Sequence, residues 1–179
     1  CRSNVARPAE CGIALVAQSG AILTTILDWA SARGVGFSHL VSLGDMADVD
    51  FGDMLDYLAG DPNTHSIVLY IEAITHARKF MSAARAAARV KPVIAIKAGR
   101  HTEAAKAALS HTGALAGADA VYDAALRRAG ILRVMTLEEV FDALESLATL
   151  KGDIGDRLAI LTNGGGIGVL AVDRLANLG

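Results

Sequence analysis

Short apolar runs alternate with longer mixed stretches along almost the whole chain. Gly12-Ile-Ala-Leu-Val-Ala17 is unbroken and apolar, the pattern of a parallel strand buried on both faces. Gln18-Ser19-Gly20 then turns into a helical stretch that runs to about Arg33. Phe37 to Leu43 predicts a second strand, and Asp50 to about Ala59 a helix. Asp50 is placed to cap that helix, with Asp53 in its first turn. Asp61-Pro62-Asn63 marks a turn. Ser66 to Ile71 predicts a third strand that ends at Glu72. His76 to Arg89 is Ala-rich and helical, and Pro92 to Lys97 predicts a fourth strand. After a loop that carries His111, a helix is expected from about Gly117 to Ala129, then a short fifth strand from Ile131 to Val134. Thr136 and Glu139 form a capping-box pattern for a helix that reaches about Leu150.

Five such units predict an α/β fold with a doubly wound parallel sheet over residues 12–150, in the order 2-1-3-4-5. Residues 1–11 read as a connector and 151–156 as a polar, Gly-containing linker. Arg157 to Thr162 predicts a further strand, followed by Asn163-Gly-Gly-Gly-Ile-Gly168 and a helix. Residues 157–179 are therefore expected to be the truncated start of a following α/β domain. The chain opens on Cys1 without Met, and we expect a piece of a larger protein.

Composition narrows the function classes. The 179 residues are 53% hydrophobic, but no uninterrupted apolar run reaches the roughly 18 residues of a bilayer span. Aromatic residues make up only 4%, net charge is −2 and no basic block stands out, so no nucleic-acid partner is expected. No membrane partner is expected either. Cys1 and Cys11 lack metal-pair spacing. So few cysteines, with no signal-peptide pattern, lead us to expect a reducing cytoplasm.

Right-handed βα connections put the loops after the strands on one edge of a parallel sheet. Ser19-Gly20, Asp45, Glu72 and the His111 loop should gather there. The helix opened by Ser19 and Gly20 offers N–H groups and a positive dipole end to an anion such as phosphate. Ordinary capping by Ser19 explains the same residues, so both readings stand. Thr162 to Gly168, with Gly165 and Gly166, repeats the device. Gly166-Ile-Gly-Val-Leu-Ala171 also fits a dinucleotide pattern, whose confirming acid would lie about 20 residues further on. Glu72 could orient an imidazole, and His111, among small residues, could act as nucleophile. Asp45, Asp48, Asp50 and Asp53 lack calcium-loop spacing and read as caps and solvated loop, so no metal site is expected. His39, His65, His76 and His101 receive no role.

Several motifs in order carry a resemblance. Ser110-His-Thr-Gly-Ala-Leu-Ala-Gly117 resembles the phosphohistidine segment of the NDP-forming acyl-CoA synthetases, relatives of succinyl-CoA synthetase. Val16-Ala-Gln-Ser-Gly20, Ser42 to Asp50, Leu69-Tyr-Ile-Glu72 and Thr162 to Gly168 support it. The resemblance implies a flavodoxin-like ligase domain. It implies that His111 carries a phosphoryl group between nucleotide and acyl phosphate, that Glu72 stabilises it, and that the helix ends at Ser19-Gly20 and Gly165-Gly166 hold the phosphate. It implies that ATP or ADP, Mg²⁺ and CoA serve the parent protein through an ATP-grasp domain and an N-terminal CoA-binding domain, and that the fragment alone is inactive. Thr25 to Ala30, Gly44 to Leu58 and Arg128 to Arg133 are also similar to the ligase-like region of bacterial lysine acetyltransferases fused to a GNAT module. That leaves a ligand-sensing, regulatory domain as the alternative, and a nicotinamide-dinucleotide module as a third. Homo-oligomerisation stays open.

Overall fold

The computed structural model describes residues 12–100, 118–149 and 158–178. Strands β1 (Ile13–Ala17), β2 (His39–Ser42), β3 (Ser66–Ile71), β4 (Val93–Lys97) and β5 (Leu132–Val134) form one sheet. Its order is β2-β1-β3-β4-β5 and every pairing is parallel, as expected. Helices α1 (Gly20–Arg33), α2 (Phe51–Gly60), α3 (Ala77–Ala88), α4 (Asp119–Ala129) and α5 (Leu137–Thr149) connect and cover the strands.

Each central strand is apolar at nearly every position because it faces a helical layer on both sides. The period-2 alternation divides its side chains between two cores. Ala14, Val16, Ile67, Leu69, Ile71, Val93 and Ala95 meet residues of α2, α3 and α4. Ile13, Leu15, Val68, Ile94 and Ile96 meet α1 and α5. On that second face Trp29 stacks on Phe141, ring centres 4.4 Å apart, and the Arg33 guanidinium lies 4.6 Å from the centre of the Trp29 ring.

Local chemistry sets the element ends. Gly12 has φ +63°, and the His65 ring occupies the space a β-carbon would need. Gly34 ends α1 in the left-handed conformation, as helix C-caps commonly do. The expected Asp50 cap forms and goes further, into a full capping box: Asp50 accepts from the N–H groups of Gly52 and Asp53, and Asp53 accepts from the Asp50 N–H. The box also ties α2 to α3, because the Asp50 carboxylate meets His76 Nδ1 at 3.0 Å and Lys79 Nζ at 3.3 Å. At α5 half of the expected box forms. Glu139 donates its N–H to Thr136 Oγ1, but its carboxylate takes the Met135 N–H instead of returning to Thr136.

The second unit differs from expectation. Helix α6 (Gly165–Leu178) forms, but Leu158 to Leu161 is not a strand. A strand needs a neighbour for its N–H and C=O groups, and the described residues supply none. The apolar side chains of Leu158, Leu161, Ile167, Val169 and Leu170 stay exposed.

The Asp50 cap generates a test. Burial works against its ionised form, but hydrogen bonds from Asp53, His76, Lys79 and Gly52 outweigh it and hold the carboxyl below its ordinary range. A depressed carboxyl stabilises the fold above the unfolded pKa and loses that effect as pH falls through the folded value. Asp50→Ala is expected to cost about 1–2 kcal/mol at pH 7 by denaturant melting. The gap to the unsubstituted protein should narrow below about pH 4.

Candidate functional site at the carboxyl edge of the sheet

The chain runs from β1 outward to β2 and then crosses back to β3 on the other side. In doubly wound sheets this switch point opens a crevice at the carboxyl ends of the strands. Ser19 and Gly20 follow β1 and Glu72 follows β3, so three of the sequence-predicted residues share this edge. Ser19 is extended (φ −92°, ψ 116°) and its hydroxyl accepts from the Ile22 N–H at 3.4 Å, as a helix cap does. No acidic side chain stands in the first turn of α1 to neutralise its positive end. A side chain at Gly20 would meet only Ser42 Oγ, at 3.7 Å, so the glycine leaves that end open.

Glu72 is half-buried. Its N–H and that of Ala73 both donate to Gln18 Oε1, at 2.7 and 2.8 Å. The next N–H, from Ile74, donates to the Tyr122 hydroxyl at 3.2 Å. The neighbouring Tyr70 phenol is pushed above its ordinary pKa by burial and by the Glu72 charge. The edge therefore carries a carboxylate one strand over from an open helix N-terminus, a layout that suits an anion.

Sequence reasoning missed three residues here. Lys97 ends β4 in register with Ile71 and is 2% exposed. Its ammonium lies 4.6 Å from the Tyr122 ring centre and donates to the Ala98 carbonyl. Burial lowers its pKa, Asp119 and Glu72 raise it, and Arg133 lowers it, with a net fall. The signal for Lys97 was visible, a lysine closing an otherwise apolar strand. Gln18 was seen only as part of a turn motif, and Tyr122 gave no signal.

His111 lies outside the described residues. Gly165 and Gly166 open α6 as expected, but no hydrogen bond among the described residues joins them to Ser19 or Glu72. Asp45 follows β2 and is exposed. Among the described residues no group of three His, Cys, Asp or Glu could hold a metal. No helix among them is long and apolar enough to cross a membrane. A groove of about 640 Å³ lies away from this edge chemistry, along α3 between Arg78, Arg85 and Arg89.

Residues 10–147 match the succinyl-CoA ligase like flavodoxin domain. The chain belongs to that family. The chain is 45% identical, over 90% of its length, to the Pyrococcus furiosus acetate–CoA ligase [ADP-forming] I subunit alpha, and covers 35% of that protein. It is 46% identical over 96% of its length to the Archaeoglobus fulgidus acetate–CoA ligase [ADP-forming] I, and covers 25% of it. A solved Ca. Korarchaeum cryptofilum dinucleotide forming acetyl-coenzyme A synthetase, in complex with phosphate and ADP, is similar with a TM-score of 0.83 and 40% identity. That likeness covers 93% of this chain and 36% of the solved one. The chain thus spans about a third or less of these relatives. The comparisons bring no support for the acetyltransferase resemblance.

The buried lysine gives a pH-dependent expectation. A lysine whose folded pKa is depressed destabilises the fold at neutral pH, and the penalty fades as pH rises toward the unfolded value near 10.4. Lys97→Met should therefore raise the melting temperature at pH 7. The gain should shrink as rising pH takes the proton from the folded lysine, and should fade out toward about pH 10.4, the unfolded value. A melting temperature that falls at pH 7 would show that the ammonium is net stabilising.

Proposed function

We propose that this domain bears the phosphoryl-carrying histidine, His111, of an ADP-forming acyl-CoA ligase of the cytoplasm. What carries the reading is Glu72 beside the open N-terminus of α1, in a chain similar over 90% of its length to an ADP-forming acetate–CoA ligase subunit. ATP-grasp and CoA-binding domains elsewhere in the parent would supply the nucleotide and thiol sites. ATP, Mg²⁺ and CoA are bound there rather than by the residues of this edge.

The chemistry then divides between a fixed frame and a moving group. The neutral imidazole of His111 attacks the γ-phosphorus of ATP; the N–P bond forms, the P–O bond to ADP breaks, and ADP leaves. A carboxylate substrate next attacks the phosphoryl group, giving an acyl phosphate and free imidazole. The CoA thiol displaces phosphate from the acyl carbon and its proton leaves to solvent or base. Through the first two steps the frame must hold a dianion. The α1 N–H groups at Ser19-Gly20 face it with partial positive charge. Glu72 orients the imidazole through its N–H and compensates the positive charge that develops on the ring as it attacks. The N-terminus of α6 at Gly165-Gly166 is proposed to join from the second unit.

The test uses the full-length parent. Incubation with radiolabelled ATP and Mg²⁺ should give an acid-labile phosphoryl protein. His111→Asn should abolish labelling and acyl-CoA formation while leaving the melting temperature within a few degrees. Glu72→Gln should slow labelling by about ten- to a hundredfold, as loss of an orienting partner does. Labelling should weaken below about pH 6, where the reacting imidazole is protonated. A parent that forms acyl-CoA normally with His111→Asn would sink the reading.

A further inference from the structure

Three consecutive N–H groups after β3, those of Glu72, Ala73 and Ile74, are met by side chains from two distant elements. Loop N–H groups at a strand end ordinarily face water, and the fold asks nothing more of them. Here Gln18 is buried, and ordering a buried glutamine costs rotamer freedom. It is also tied to β3 through its own N–H, which donates to the Tyr70 carbonyl at 3.2 Å. Gln18 stands between the end of β1 and the Ser19 cap of α1. One residue therefore anchors both the open helix end and the main chain of Glu72. Tyr122 pins the same turn from α4, and Lys97 packs against its ring.

We propose that Gln18, seconded by Tyr122, is a positioning residue: it sets Glu72 against the N-terminus of α1 and so fixes how the carboxylate meets its imidazole partner. This rests on the role given to Glu72 above. The requirement is for an acceptor oxygen. Only the side-chain carbonyl of Gln18 can take two N–H groups, so a carboxylate can replace the amide and a thioether cannot.

The experiment measures the initial rate of acid-labile labelling of the full-length parent by radiolabelled ATP, with the melting temperature beside it. Gln18→Met should slow labelling by about tenfold, the scale of an outer-shell loss, with the KM for ATP unchanged. Gln18→Glu should recover most of the rate. In a Glu72→Gln background, Gln18→Met should cost nothing further, because the two act through one carboxylate. Tyr122→Phe removes only the hydroxyl and keeps the ring under Lys97. It should slow labelling more mildly with the same non-additivity, and it serves if Gln18→Met does not fold. Losses that add in the Glu72→Gln background would make the role merely structural and overturn the proposal. So would a Gln18→Glu protein as slow as Gln18→Met, or unchanged rates in Gln18→Met and Tyr122→Phe where Glu72→Gln is slow. If Glu72→Gln itself labels at the normal rate, the role of Glu72 falls first and the proposal falls with it.

Discussion

A parallel strand finds its hydrogen-bonding neighbours only through connections that cross over the sheet, and those crossovers bury both faces. Everything else in this domain follows from that constraint. β1, β3 and β4 must be apolar at nearly every position, and each feeds two separate cores at once. The two cores in turn hold α1 and α5 on one face and α2, α3 and α4 on the other. The strand ends are left as the one sheet edge toward which the helix N-termini point. A polar site can be built there without breaching either core.

The site uses that edge economically. β1 contributes an open helix end, β3 a carboxylate, and β4 a buried ammonium that faces the opposite layer through Tyr122. Gln18 reaches sideways across the switch point to the β3 turn, so its side chain carries the β1–β3 pairing on past the last backbone bond, from its own N–H to the Tyr70 carbonyl. Arg133 extends the polar frame toward the far edge. Its guanidinium is buried and pairs with both Asp119 and Asp123 at the start of α4, the helix that carries Tyr122.

Much of this was legible in the residues. Buried central strands announce themselves as unbroken apolar runs, so β1, β3 and β4 fell within a residue of their expected bounds. β2 is an edge strand with one neighbour; its span of His39 to Ser42 is shorter than the expected Phe37 to Leu43, although the Ser38 and Leu43 N–H groups still donate to the Ile13 and Ala17 carbonyls. Leu158 to Leu161 carries the same apolar signal as a buried strand, but a run of side chains does not specify a partner. Ser19, Gly20 and Glu72 could be placed because they sit directly after strands. Gln18 and Tyr122 could not, because their partners lie 54 and 48 positions away and a glutamine in a turn has many other uses.

The stacking of Trp29 on Phe141 has a spectroscopic consequence. Trp29 is the chain's single tryptophan, and it belongs wholly to the α1–α5 layer. Intrinsic fluorescence excited at the indole therefore watches one face of the sheet and is blind to the α2–α3–α4 face. Fluorescence-detected unfolding of this domain thus reports the loss of that layer, with no dye to attach.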